Sequence, residues 1–306
     1  MAGKVVAVVG GTGYLGLQIV KALLGQGARV KAIIRDAGNR AKLESLGVSD
    51  FAIGDMMDRE SLKAALSQSP RAEALVASAA GYTRHAPKDS PRTDTEGYRN
   101  LVDACKETGL PRFVLISILE SDKAAKVPHF YHKYLTEEYL KKVGQPYIAL
   151  RAGAFLDQAQ DRVLAGLKNG IYPAFFPEVA LGMVYTPDLA RYAALAATNL
   201  PDTALGRSID IGWETPASAA SLAQAFSKML GKPIVAKPAF PPFASKVMMP
   251  LMGLFSEGPR DMSAMMKWVG SGVYVSHNPQ AQKEFFGELP SVEEAVRRYC
   301  KDRGLV

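Results

Sequence analysis

Five apolar residues in a row, Val5–Val9, open the chain, and Gly10-Gly11-Thr12-Gly13 breaks them off. Leu15, Ile19, Ala22 and Leu23 then recur at helical spacing. A run that is apolar at every position suits a strand buried on both faces of a parallel sheet, and the spacing after it suits an amphipathic helix. The same alternation continues. The pattern predicts strands at 29–34, 51–55, 74–78, 112–117 and 147–150, with helices at 59–66, 95–108 and 128–143. Strand and helix alternating in this way imply a doubly wound parallel sheet.

Beyond residue 155 the rhythm changes. Helices are predicted at 157–169, 187–198, 218–230 and 291–303, and short strands at 181–185, 208–211 and 234–237. An aromatic and proline-rich loop lies at 171–177. The methionine-rich run 247–255 reads as core, with an adaptable pocket wall as the other reading. The domain division that follows is 1–155, with 181–215 returning to it, and a smaller lobe made of 156–180 and 216–306.

The turn after the first strand is where chemistry enters. Gly10, Gly13 and Gly16 form G-x-x-G-x-x-G between a strand and a helix. Missing side chains there let backbone N–H groups approach a pyrophosphate, and the helix adds its positive dipole end. With the strand before it and the helix after it, the pattern predicts dinucleotide binding on an α/β doubly wound Rossmann fold, lined by Gly10, Thr12, Gly13, Tyr14, Leu15 and Gly16. Arg35 stands at the end of the second strand, where the adenosine ribose lies in such a unit. It offers a planar fork of donors for the 2′-phosphate of NADP, while Asp36 beside it leaves NAD possible. NADP(H) is the preferred expectation, with Arg40 and Lys42 either reinforcing the phosphate site or simply exposed. Asp55 and Met56 after the third strand, and Ser78, Ala79 and Ala80 after the fourth, complete the cofactor edge. The polar loop between Tyr82 and Asp94 is either a lid or ordinary surface.

Composition sharpens this only a little. The 306 residues are 48% hydrophobic and 22% charged, as in an ordinary globular protein. No apolar run approaches the roughly 20 residues that cross a bilayer. The chain enters its first strand at once, leaving no room for a signal peptide, so a cytoplasmic location is expected. Cys105 and Cys300 have neither metal nor redox spacing. A formal charge of +7 favours an acidic ligand such as a phosphorylated cofactor, and no basic run points to nucleic acid. Oligomeric state is left open.

Taken together, GGTGYLG at 10–16, Arg35, Gly54-Asp55, GYRNLVDACKETG at 97–109, FVLIS at 113–117 and LRAGAF at 150–155 resemble the atypical or extended short-chain dehydrogenase/reductases, in their NmrA-like and isoflavone-reductase-like branch. GSGVY at 270–274 and FGELPSVEEAVRRY at 286–299 resemble it too. The resemblance covers essentially the whole chain. It implies a smaller C-terminal substrate-binding lobe over the nicotinamide end, with the ligand between the lobes. The branch includes reductases of quinones and phenolic ethers and redox-sensing regulators.

In the standard members of that superfamily a Y-x-x-x-K pair lies on the helix after the fifth strand. Here Lys133 matches the lysine, Glu137 follows as in the family, and His129 fills the tyrosine slot. Residues 129, 133 and 137 form one helical stripe, so Glu137 either pairs with Lys133 or merely accompanies it. Tyr131 lies about 200° round the helix from Lys133. The proton for a reduction would come from His129 with its pKa near neutrality, from Lys133 with a depressed pKa, or from water. The pair His129 and His132 lacks further ligands at metal-binding spacing, so no metal is expected. Lys133 and His129 are therefore the catalytic candidates. Lys133 also belongs with the cofactor, as does Phe155, which packs on the nicotinamide or in the core. Tyr82, His129, Phe175 and Phe176 are the substrate candidates. The expected activity is NADPH-dependent hydride transfer to a small apolar, aromatic or quinone-like substrate. The alternative is an NADP(H)-sensing regulator without turnover. An epimerase or dehydratase is disfavoured by the missing tyrosine.

Overall fold

The computed structural model describes residues 3–81, 90–157, 160–174, 176–177, 179–239, 241, 243 and 247–306. Two compact units emerge. The first comprises Met1–Asp122, Pro128–Arg151 and Thr186–Ile209, and the second Lys123–Val127, Ala152–Tyr185 and Asp210–Val306.

In chain order the elements are β1 (Val5–Val9), α1 (Tyr14–Gly25), β2 (Arg29–Ile34), α2 (Ala41–Glu44), β3 (Asp50–Ile53), α3 (Arg59–Ser67) and β4 (Ala74–Ala77). Then follow α4 (Tyr98–Glu107), β5 (Phe113–Ile118), α5 (Pro128–Val143), β6 (Tyr147–Ala152), β7 (Ala154–Phe155), α6 (Gln160–Lys168) and β8 (Ile171–Ala174). The remainder is β9 (Met183–Val184), α7 (Thr186–Thr198), β10 (Arg207–Ile211), α8 (Ala219–Leu230), β11 (Val235–Pro238), α9 (Met249–Met252), α10 (Glu257–Gly270), α11 (Pro279–Phe286) and α12 (Val292–Asp302).

A seven-stranded sheet runs in the order β10-β6-β5-β4-β1-β2-β3. β1 sits between β2 and β4, with Val9 opposite both Ile33 and Ala77, and both pairings are parallel. The strand order therefore reverses at β1 and β4, and a ligand of such a sheet binds beyond the carboxyl ends of those two strands. Successive residues of a strand face opposite sides of the sheet. Ala7 and Val9, Leu75 and Ala77, Phe113 and Leu115 share a core with Leu62, Leu66, Leu101, Val102, Cys105 and Leu140 from α3, α4 and α5. Elsewhere in this unit α1 packs on α7. Ala190, Ala193, Ala194 and Ala197 are fully or almost fully buried in α7, and small side chains permit that close approach.

α4 begins differently from the expectation of a helix starting at 95. Ser90–Gly97 is a π-helical turn that runs into it. Such turns are rare and occur mostly at functional sites.

The second unit is held by an aromatic cluster. Tyr172 stacks on Phe226 at 5.7 Å, and Tyr299 meets both Phe226 and Tyr185 edge to face. The run 247–255 is not core. Leu251, Leu254 and Phe255 are 57%, 75% and 90% exposed, and α9 buries no residue. Pro250 starts that short helix, and Gly253 lies so close to Arg260 that a Cβ would come within 2.9 Å of its Cα. The chain turns a corner there with its apolar side chains outward. Among the described residues no helix is long and apolar enough to cross a membrane.

Candidate functional site

At the carboxyl end of β1, Gly10 has φ of +86°, which L side chains rarely adopt. A Cβ on Gly10 would lie 2.6 Å from the backbone nitrogen of Ala79, and one on Gly16 would lie 2.0 Å from the Gly10 carbonyl oxygen. Only hydrogen fits at either position, so the turn, the first turn of α1 and the exit of β4 are in direct contact. Gly13 donates its N–H to Gly10 (3.2 Å), closing the turn. Ser78 is tied to Val9 through its N–H (3.0 Å) and its hydroxyl (3.3 Å). The structure thus gathers Gly10, Thr12, Gly13, Tyr14, Leu15 and Gly16 with Ser78 and Ala79, followed at once by Ala80. α1 has no side-chain cap and no acidic residue in its first turn, so its amide groups and dipole suit an anion.

Past β2, Arg35 and Asp36 are exposed. The Asp36 carboxylate accepts the Gly38 N–H (3.0 Å) and caps the turn at 37–39. Arg40 lies over the ring of Phe51, its guanidinium carbon 4.9 Å from the centroid, and its buried Nε has no hydrogen-bond partner among the described residues. Past β3, Asp55 accepts the Met57 N–H (2.9 Å), and Asn100 of α4 donates to the Met56 carbonyl (2.9 Å).

His129, Lys133 and Glu137 are all buried on one face of α5, but Lys133 and Glu137 serve different neighbours. Glu137 does not pair with Lys133. Its carboxylate takes Arg151 and the hydroxyls of Ser117 and Ser208. Lys133 instead donates to the Ala79 carbonyl (2.9 Å), lies 3.4 Å from Asp94, and stands 4.1 Å above the ring of Tyr98. Burial works against its charge, but Tyr98 and Asp94, through charge and hydrogen bonding, outweigh it and raise the Lys133 pKa. Burial likewise pushes the His129 imidazole down to about 4, against the opposing pull of Asp94. A neutral imidazole stands where an acid titrating near neutrality was expected. His132 is lowered by burial as well and meets the hydroxyl of Thr95. Tyr131 is half-buried and rests against Tyr134.

Asp94, Tyr98 and Asn100 were not singled out from the sequence, although they lie in or beside the GYRNLVDACKETG stretch. Tyr82 and Phe175 lie outside the described residues. Phe155 and Phe176 belong to the second unit and are half-buried there, with β7 pairing to β9 through Phe155 and Val184. Among the described residues no three His, Cys, Asp or Glu side chains gather as a metal site.

The family model described as the NmrA-like family matches residues 2–294. Photosystem II assembly factor Ycf39 of Cyanophora paradoxa is 31% identical over 150 residues, 49% of this chain and 45% of that protein. The chain thus spans about half the length of the curated relatives it matches. Among solved structures, an NADPH-dependent quinone oxidoreductase from Escherichia coli in complex with NADPH is 19% identical with a TM-score of 0.74, covering 96% of this chain and 99% of that one. Triphenylmethane reductase of Citrobacter sp. complexed with NADP(H) is 20% identical with a TM-score of 0.75, over 96% and 99%. At such identity these likenesses establish the fold.

Proposed function

The chain belongs to the NmrA-like family, and on that premise we propose that it is an NADPH-dependent reductase of a small, apolar, aromatic or quinone-like acceptor. The observation that carries this reading is the cradle at Gly10 and Gly16, where a Cβ would overlap backbone. It lies where the strand order reverses, beside an uncapped helix start. The residues fit a dinucleotide. Gly10, Thr12, Gly13, Tyr14, Leu15 and Gly16 would hold the pyrophosphate, and Asp55, Met56, Ser78, Ala79 and Ala80 would line its path.

Arg35 and Arg40 support NADPH over NADH. The buried Arg40 Nε has no acceptor among the described residues, and a 2′-phosphate near it would supply one. Asp36, the side chain that would select a free ribose hydroxyl, is engaged in capping its own turn. Two solved structures of the same fold carry names that specify NADPH or NADP(H).

When bound, the cofactor supplies a hydride. On this reading the protein's own residues bind and orient that donor. His129 is neutral at physiological pH and Lys133 is held as an ammonium by its neighbours, so the proton for the acceptor comes from solvent. Lys133 then acts by position and charge.

A second reading, a nucleotide sensor without turnover, is favoured by one observation: Lys133 is already engaged by the Ala79 carbonyl, Asp94 and Tyr98. Stopped-flow mixing of the NADPH-loaded protein with naphthoquinones and triarylmethane dyes separates the two. Rapid oxidation of bound NADPH supports the reductase. Tight binding with no oxidation by any acceptor supports the sensor, and failure to bind either nucleotide overturns both.

A further inference from the structure

The Ala79 carbonyl accepts two side-chain donors, Tyr98 Oη at 2.7 Å and Lys133 Nζ at 2.9 Å. Two residues on, the Gly81 N–H donates to both oxygens of Asp94, at 3.2 and 3.1 Å. Asp94 in turn lies 3.4 Å from Lys133 Nζ. Thr136 of α5 donates to the Asp94 backbone carbonyl (3.4 Å), fastening the π-helical turn to the helix that carries the lysine. Tyr98 is fully buried, and Asp94 and Lys133 are 1% and 5% exposed.

The backbone these groups hold is the one that touches the glycine turn, with Ala79 N where a Cβ of Gly10 would go. There is no slack at that contact, and a shift of a few tenths of an ångström at Ala79 reaches Gly10 directly. We infer that Asp94 is a positioning residue: it fixes the Lys133 ammonium on Ala79, so that the exit of β4 keeps the spacing to the glycine turn on which nucleotide affinity depends. This rests on the cofactor reading proposed above.

The charges around Lys133 make the role specific. It faces Asp94 from the π-helical turn, Tyr98 from α4, the Ala79 carbonyl from β4, and His129 and His132 from its own helix. Both imidazoles are lowered by burial and Tyr98 is raised by it, so these three are uncharged at neutral pH. Asp94 is the carboxylate acting on Lys133 among the described residues. Without it, one of the two groups that oppose the burial of the lysine's charge would be gone.

The test uses the full chain, wild type beside Asp94→Asn, Asp94→Glu and Tyr98→Phe. Lys133 is titrated by side-chain NMR without nucleotide, and NADPH affinity is measured by fluorescence from about pH 6 to 9. Wild-type affinity should be flat with pH. Asp94→Asn should lower the Lys133 titration, and should weaken NADPH roughly tenfold, increasingly so as pH rises. Asp94→Glu should restore the flat profile. Tyr98→Phe, nearly isosteric, should weaken NADPH roughly threefold with Lys133 still charged. An Asp94→Asn protein with wild-type Lys133 titration and affinity overturns the inference. If that variant does not fold, a Tyr98→Phe protein that melts lower but binds NADPH as wild type does overturns it. A wild type that binds no NADPH overturns the cofactor reading instead, while the Lys133 titration still decides whether Asp94 holds its charge.

Discussion

Glu137 and Arg151 form a two-pronged ion pair, with Nη2 to Oε2 at 2.8 Å and Nε to Oε2 at 3.1 Å. The carboxylate is wholly buried, the guanidinium about three-quarters so, and the Ser117 and Ser208 hydroxyls donate to the same carboxylate. One side chain of α5 thereby ties β5, β6 and β10 together. Glu137→Gln removes the charge and leaves Arg151 without its counter-ion. It should cost about 3 kcal/mol of stability, read by urea denaturation, with a smaller loss when Arg151→Met is combined with it.

His129 should give stability an acid limb of its own. Burial moves the folded-state pKa down to about 4, against about 6.5 in an unfolded chain. Between those values the unfolded state holds the extra proton. The contribution is complete above about pH 6.5, declines as pH falls, and levels off below about 4. The difference between wild type and His129→Leu should therefore shift by on the order of 2 kcal/mol against the wild type from pH 7 to pH 5. A parallel pair of stability curves would count against a buried neutral imidazole.

Two glycines of α1 should respond oppositely to alanine. A Cβ at Gly16 meets backbone at 2.0 Å, whereas one at Gly25 meets nothing within 4 Å. Gly16→Ala should lower stability by roughly 1–3 kcal/mol and abolish tight NADPH binding. Gly25→Ala should leave binding unchanged and raise stability by up to about 1 kcal/mol, since the unfolded chain loses freedom. Thermal melts and fluorescence titration read both.

The apolar corner after Val247 separates exposure from core membership. Leu254→Ser and Phe255→Ser should each change stability by no more than about 0.5 kcal/mol in urea titrations. A buried phenylalanine would lose several times that on truncation.

The fold was legible because its signals are local: an all-apolar strand, a glycine turn and a helical repeat follow one another within the first twenty-five residues. Gly10, Gly16 and the β4 exit were legible for the same reason. The partner of Lys133 was not. Helical spacing offered Glu137, four residues on, yet that carboxylate is claimed by Arg151 and two serines. Asp94 reaches Lys133 only because a π-helical turn brings a separate segment of chain beside α5. Burial then lowered His129 from its solution value, whereas Tyr98 and Asp94 raised Lys133 against the pull of burial. The run 247–255 misled for another reason: its composition is that of a core, and only its proline and glycine hint at a corner.

Asp36 has a consequence for anyone re-engineering the protein. Its carboxylate is the acid a designer would recruit to favour a coenzyme with an unmodified ribose, but it already holds the Gly38 amide and with it the bend that carries Arg40 onto Phe51. Deleting the arginines alone would leave that acid facing inward on its own loop. On the cofactor reading proposed above, a switch of coenzyme would have to rebuild 35–40 as a whole, and specificity at this edge would be a property of a loop's shape and not of one interchangeable letter.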